Sequence, residues 1–388
     1  MNNKNSINQS SQPHHFLEID SLRCLAMLSV IAIHCKLMPF GWVGVWLFFV
    51  ISGYVVTLSI LRTRPNQSGW SLLKNFSQRR AVRIVPIYFG YALLGAILLI
   101  LLGHQLQLVA LISIMGFFNN IAMILGVGDL NPWPSGHLWT ISVEMQFYLV
   151  YGAMFFLLPL RWTLRLLIAF VLLAPIGRMG LSYWLSNQNV SAGQAAYTVY
   201  AAPLVHFDSF SMGALLAFYG SKKPIKGIAT HLVLIGLLAV ITYFLIYAGI
   251  NLYIQDRVGL EIVKDIISGN LTGQMREVFI YSALALFFTG LVALASSRSA
   301  LTQWLLGNPY LQWVGKVSYG AYIIHALCIK IAASLVMGYG VPYSEANIIE
   351  RLFVFTLTVI MTLALAGLSF RYIETPINLH YRKKLSKS

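Results

Sequence analysis

Long apolar runs separated by short polar breaks dominate the chain. Eleven such runs are read, at about 22–38, 41–61, 84–102, 106–126, 138–159, 166–185, 203–219, 228–250, 278–295, 313–336 and 352–371. A membrane-spanning helix needs ~20 mostly apolar residues, and the runs are of that order. Loop 62–83 carries Arg62, Arg64, Lys74, Arg79, Arg80 and Arg83, which marks it as cytoplasmic under the positive-inside rule. With all eleven runs crossing, eleven downstream basic residues fall outside and three inside. Leaving 106–126 out of the membrane reverses that count. The same segment holds Asn119 and Asn120, costly side chains for a lipid-facing helix. The pattern therefore predicts an all-α integral membrane protein of about ten transmembrane helices. It adds one re-entrant or outer-side segment at 106–126, and it places both termini in the cytoplasm. The outer loops are then 186–202, 251–277 and 337–350.

Composition agrees with this pattern. Of 388 residues, 58% are apolar or aromatic and 10% charged, and the mean hydropathy is +0.72. A soluble domain runs near ~25% charged, so a conventional water-soluble surface is excluded. The net charge of +15 sits beside apolar runs, which reads as membrane orientation and contact with membrane lipids rather than nucleic-acid binding. Residues 1–15 are polar and read as a disordered lead. Residues 16–376 form one transmembrane domain, and 377–388 a basic cytoplasmic tail. Cys24, Cys35 and Cys328 have no metal-like spacing, so neither a zinc site nor a disulfide framework is suggested. The GxSxG, P-loop, HExxH and GxGxxG patterns are absent, which argues against those hydrolases, nucleotidases and dehydrogenases.

Ionisable groups inside a span are costly and mark functional candidates. In the first span Arg23 and His34 lie eleven residues apart, on one helical face and ~16 Å apart along the axis. Arg23 reads as a snorkelling anchor or a functional cation, and His34 as a general base toward a hydroxyl. Glu144 lies ~9 Å in from the outer end of its span at 1.5 Å per residue. That depth matches His34, so the geometry allows a His–carboxylate pair there, with Tyr148 one turn on. The alternative for Glu144 is a structural, protonated carboxyl. Asp208 starts its span at the same outer level, either as a ligand or as a helix cap. On the cytoplasmic side Arg80 and Arg83 are one turn apart, as positive-inside anchors or as a phosphate-binding pair. Near the end, Ser318, Tyr319, Tyr322 and His325 share a helix. His325 is either a second catalytic group or an interhelical hydrogen-bond partner. Glu374 is expected to pair with Arg371 at i, i+3.

Seven segments in order resemble the acyltransferase-3 family of integral membrane acyltransferases, whose members O-acylate cell-surface sugars. They are LEIDSLRCLAMLSVIAIH, with Arg-x10-His at Arg23 and His34; GWVGVWLFFVISGYVV; RRAVRIVPIY, with Arg-x-x-Arg at Arg80 and Arg83; HLWTISVEMQFYLVY; SFSMGALLAF; VSYGAYIIH; and YIETP. The resemblance implies that Arg23 and His34 are essential, with His34 as base. It also implies that Arg80 and Arg83 help hold an acyl-CoA donor, and that Glu144 supports the site. Many family members carry a fused extracytoplasmic hydrolase-like domain. This chain ends twelve residues past Pro376, so the resemblance implies action alone or with a separate extracytoplasmic partner.

The resulting expectation is an O-acyltransferase of the bacterial inner (plasma) membrane. It would move a short acyl group, acetyl, from acetyl-CoA as co-substrate to a hydroxyl of a glycan or lipid-linked sugar. His34, Glu144 and Arg23 would be its catalytic residues, and Arg80, Arg83, Asp208, Tyr148 and His325 its donor- and substrate-binding residues, with no bound cofactor or metal. The rivals are a non-enzymatic exporter of a glycan or organic acid and a scaffold for polysaccharide assembly.

Overall fold

The computed structural model describes residues 17–63, 69–267 and 275–385, so the lead predicted at 1–15 lies outside the described residues. These are 83% helical, with no strand among them. In chain order the helices are α1 (Leu17–His34), α2 (Val43–Thr63), α3 (Gly69–Leu101), α4 (Leu108–Met115), α5 (Asn119–Ile124), α6 (Trp139–Leu157), α7 (Leu160–Ser186) and α8 (Ala192–Ala201). They continue with α9 (Phe207–Gly220), α10 (Lys226–Tyr253), α11 (Leu260–Ile267), α12 (Arg276–Ser297), α13 (Ala300–Leu306), α14 (Pro309–Met337), α15 (Ile348–Ser369) and α16 (Thr375–Leu385).

Among the described residues eight helices are long and apolar enough to cross a membrane, and α8 with α9 form a pair bent by 67°, the shape of a broken span or of a re-entrant loop. α1 has the 18 residues for a span but carries Glu18, Asp20 and Arg23 near its start. Segment 106–126 divides into α4 and α5, of eight and six residues, each too short to traverse ~30 Å of hydrocarbon. The chain is an all-α, multi-pass integral membrane protein. Large apolar side chains face outward along α7 and α10, including Leu172, Leu173, Leu238 and Leu245, as lipid contact requires.

Three boundaries differ from expectation. The basic stretch placed in loop 62–83 is helical from Gly69, because Arg and Lys are good helix formers and their stems lie along the helix surface. The span expected at 203–219 is helical over Leu204–Gly220 and turns by 67° from α8 across Pro203, which lacks an N–H. Loops 186–202 and 251–277 contain α8 and α11.

Close helix approach fixes the frame of the site. A Cβ on Gly53 of α2 would lie 1.9 Å from the Phe210 carbonyl oxygen of α9, and one on Gly315 of α14 would lie 1.8 Å from the Asp20 carbonyl oxygen of α1. Only glycine permits such backbone contact, the usual device where helices associate in lipid. α14 is started firmly: Asn308 accepts from the Tyr310 N–H at 2.8 Å, with Pro309 at the first helical position. With α1 held between α2 and α14, and α3 and α6 beside them, two cavities open along one face of α1.

Candidate active site

The first cavity is lined by Arg23, Arg80, Arg83, Glu144, Tyr148 and Tyr319, among others. Arg80 and Arg83 reach it from successive turns of α3. Glu144 and Tyr148, one turn apart on α6, form its opposite wall, where the Tyr148 hydroxyl donates to Glu144. Ser52 of α2 donates to the same carboxylate oxygen at 2.5 Å, and the Arg80 guanidinium lies 5.9 Å from the Tyr148 ring centroid. Arg23 donates to Asp20 at 2.8 Å. Neither Arg80 nor Arg83 has a carboxylate within 4.0 Å among the described residues, and Arg80 Nε is buried without a hydrogen-bond partner. Tyr319 ties α14 to α3 by donating to the Ile84 carbonyl at 2.8 Å.

The second cavity, of about 610 Å³, contains His34, His137, Trp42, Trp139, Tyr200 and Lys264 in its wall. His34, at the end of α1, is open to it. Three imidazoles meet here: the rings of His34 and His325 are 5.3 Å apart and those of His325 and His137 4.9 Å. His137 Nε2 lies 2.9 Å from the Ile323 carbonyl and His325 Nδ1 2.5 Å from the Tyr322 carbonyl. A carbonyl only accepts, so in each neutral ring the proton sits on that nitrogen and the other nitrogen is left as an acceptor. His325 Nε2 is buried and has no partner.

Val45, Thr140 and Tyr322 line both cavities. Thr140 Oγ1 donates to the Tyr322 hydroxyl at 2.7 Å, and the two hydroxyls form the polar part of the wall where the cavities meet. One face of α1 thus presents a guanidinium to one chamber and an imidazole to the next.

Several expected residues stand elsewhere. Glu144 faces the arginines and is bonded to Ser52 and Tyr148, so the His34–Glu144 pair that depth allows does not form; the neighbours of His34 are other imidazoles. Asp208 does not reach either cavity. It forms a fully buried ion pair with Arg178 at 3.0 Å and accepts from Ser282 Oγ and the Ser209 N–H at 2.8 Å each. Glu374 is buried beside Ser369, whereas the Arg371 guanidinium lies 5.4 Å from the Tyr372 ring, so no Arg371–Glu374 bridge forms. Arg23, Arg80, Arg83 and Tyr148 meet in the first cavity as a set, and His325 joins His34 beside the second.

His137 and Ser52 were not singled out from sequence. His137 precedes α6 in a single turn, Gly136–Leu138, one residue before the apolar run at 138–159, so a rule that looks inside spans passes it by. Among the described residues no group of three or more His, Cys, Asp or Glu is arranged to hold a metal ion.

Three relatives carry related names. The peptidoglycan O-acetyltransferase OatA of Listeria monocytogenes is 27% identical over 380 residues, 92% of this chain and 55% of that protein. A putative O-acetyltransferase of Staphylococcus aureus is 26% identical over 393 residues, 97% of this chain and 59% of its own. The O-acetyltransferase OatA of Staphylococcus aureus is 26% identical over 382 residues, 94% of this chain and 57% of its own. The chain therefore spans somewhat more than half the length of the curated relatives it matches. No solved structure gives a significant match. Residues 16–369 match the family model described as an acyltransferase domain, and the chain belongs to that family.

Proposed function

We propose that the protein is a membrane O-acetyltransferase that carries acetyl from a CoA thioester to a hydroxyl of a cell-surface glycan. The observation that carries this reading is the junction of two chemically distinct chambers at Thr140 and Tyr322. One offers guanidiniums suited to donor phosphates, since their planar forks bind phosphate bidentately. The other offers imidazoles suited to accept a proton from a hydroxyl. The names of the relatives support acetyl as the group and a cell-wall glycan as the acceptor.

In this reading Arg80 and Arg83 hold the donor phosphates, and Arg23 adds positive charge at the same chamber. The thioester extends toward the Thr140–Tyr322 junction. His34 removes the acceptor proton as the hydroxyl oxygen attacks the thioester carbonyl. The new ester C–O bond forms as the C–S bond breaks, and the proton held by His34 passes to the departing thiolate. Glu144 positions Ser52 and Tyr148 in the donor chamber.

The test uses proteoliposomes given acetyl-CoA and a soluble cell-wall glycan fragment, with ester formation read by mass spectrometry. His34→Gln should lower transfer by at least ~100-fold, in line with loss of a general base, while insertion and acetyl-CoA binding persist. Near wild-type transfer by His34→Gln would remove the base role, and no acetyl-CoA consumption by the wild type would remove the transferase reading.

A further inference from the structure

The second cavity has an asymmetry that hydroxyl activation does not explain. Its wall is aromatic: Tyr200 lies 5.0 Å from Trp139 and 6.4 Å from Trp42, ring to ring. Apart from the imidazoles, its one charged lining residue is Lys264, and no carboxylate lines it among the described residues.

Lys264 is carried on α11, which is fastened to the bundle. Trp42 Nε1 donates to the Ile267 carbonyl at 2.9 Å, and the Tyr243 hydroxyl donates to the Ile266 carbonyl at 3.3 Å. The adjacent acid, Asp265, is committed elsewhere: it pairs with Arg257 at 2.9 Å and Arg276 at 2.6 Å and accepts from Asn251 at 3.0 Å. Glu261, one turn earlier on α11, makes no ion pair with Lys264. Among the described residues the exposed Lys264 thus has no paired acid, and its helix is held by Trp42, just before α2, and by Tyr243 of α10.

We infer that this cavity is the acceptor subsite and that it selects an anionic sugar unit. The C–H face of the ring lies on the Trp42–Tyr200–Trp139 wall, and a carboxylate or phosphate substituent lies against Lys264. This deepens the transferase reading and rests on it for the identity of His34 as base. The chemistry is direct. A sugar ring offers an apolar face to indole and phenol rings, and an ammonium beside low-dielectric walls attracts an anion more strongly than in open water. A neutral sugar gains only the wall, whereas an anionic one gains both. At about 610 Å³ the cavity falls within the ~300–1,000 Å³ of an ordinary small-molecule pocket and has room for a sugar unit.

The experiment compares a uronic-acid oligosaccharide, its carboxyl-reduced neutral counterpart and a glycosyl phosphate of similar size, in proteoliposomes with saturating acetyl-CoA. Binding of each is also read without donor, by tryptophan fluorescence. Wild type should bind the anionic sugars about three- to ten-fold more tightly than the neutral one, the range of one partly enclosed charge-assisted contact. In Lys264→Gln the affinities should converge; in Lys264→Arg the preference should persist. The uronate and glycosyl-phosphate arms separate a carboxylate from a phosphate as the recognised group. Equal affinities in the wild type, or a preference that survives Lys264→Gln, would overturn the inference. Selective anion binding without any transfer would sink the transferase reading while leaving the anionic subsite standing.

Discussion

Arg83→Ala separates a ligand-binding cluster from a set of membrane anchors. Arg83 lies half-buried in the first cavity wall with Arg23 and Arg80, and among the described residues no carboxylate comes within 4.0 Å of it. Deleting a bidentate charge-assisted contact to a donor phosphate should cost about 1.5–3 kcal/mol, or roughly ten- to hundred-fold in acetyl-CoA affinity. The unliganded protein should not suffer, because Arg23 and Arg83 repel one another across the cavity. Two thermal measurements on detergent-purified protein expose the difference. Without ligand, the variant should unfold at or above the wild-type temperature. With acetyl-CoA at 100 times the wild-type Kd, the ligand adds about 2.7 kcal/mol to the wild type. At that same concentration the weakened variant gains only about 0.4–1.4 kcal/mol. Arg83→Lys should fall between, as a point charge without the fork. Turnover at saturating donor should change less than affinity, since the contact is made equally in ground and transition states. If acetyl-CoA stabilises Arg83→Ala as much as wild type, Arg83 is an anchor and the donor assignment of this cavity is wrong.

Glu144→Gln should raise the KM for acetyl-CoA more than it lowers saturated turnover, because its carboxylate organises Ser52 and Tyr148 in the arginine cavity; a pure turnover defect would return Glu144 to His34. Asp208→Ala should destabilise the protein by about 3–5 kcal/mol by leaving Arg178 buried and unpaired, read as a lowered unfolding temperature and membrane yield, and unchanged stability would contradict the structural role. Lys223→Cys in a cysteine-free background tests the charge-based topology: an impermeant thiol reagent should reach position 223 only after the cells are opened, and labelling of intact cells would reverse the assignment.

The number and type of elements were largely legible because lipid imposes a length and a composition on every crossing helix. Boundaries were less so. Residues 74–83 read as a loop because six basic residues in 62–83 were counted as topology markers, yet helix propensity does not penalise Arg or Lys, and α3 runs on through them. The donor chamber was legible where cost was concentrated, in Arg23, Arg80, Arg83 and Glu144. Of its hydroxyls only Tyr148, one turn on from Glu144, was. Ser52, Tyr319 and Tyr322 are unremarkable residue types in a chain with 20 tyrosines, and only packing shows that Tyr319 bonds α3 and that Tyr322 stands where the cavities meet.

The misplaced carboxylates show what axial reasoning leaves out. Depth put Glu144 and Asp208 level with His34, but depth is one coordinate; which way a side chain points around its helix is set by packing against neighbours. Asp208 turns toward Arg178 on α7, thirty residues upstream, and with Ser282 and the Ser209 N–H its charge is answered inside the protein. A charge so answered is a structural element whatever its depth. Arg80 and Arg83 differ: they are the same kind of costly group in the same medium, but the acids near them, Glu144 and Glu374, act only across longer distances, and Arg80 keeps a buried nitrogen unbonded. Unanswered charge facing a cavity, rather than charge within a span as such, is what separates these arginines from Arg178. The same criterion, applied at the other end of the bundle, picks out Lys264 and passes over Arg257 and Arg276, whose charges Asp265 already meets.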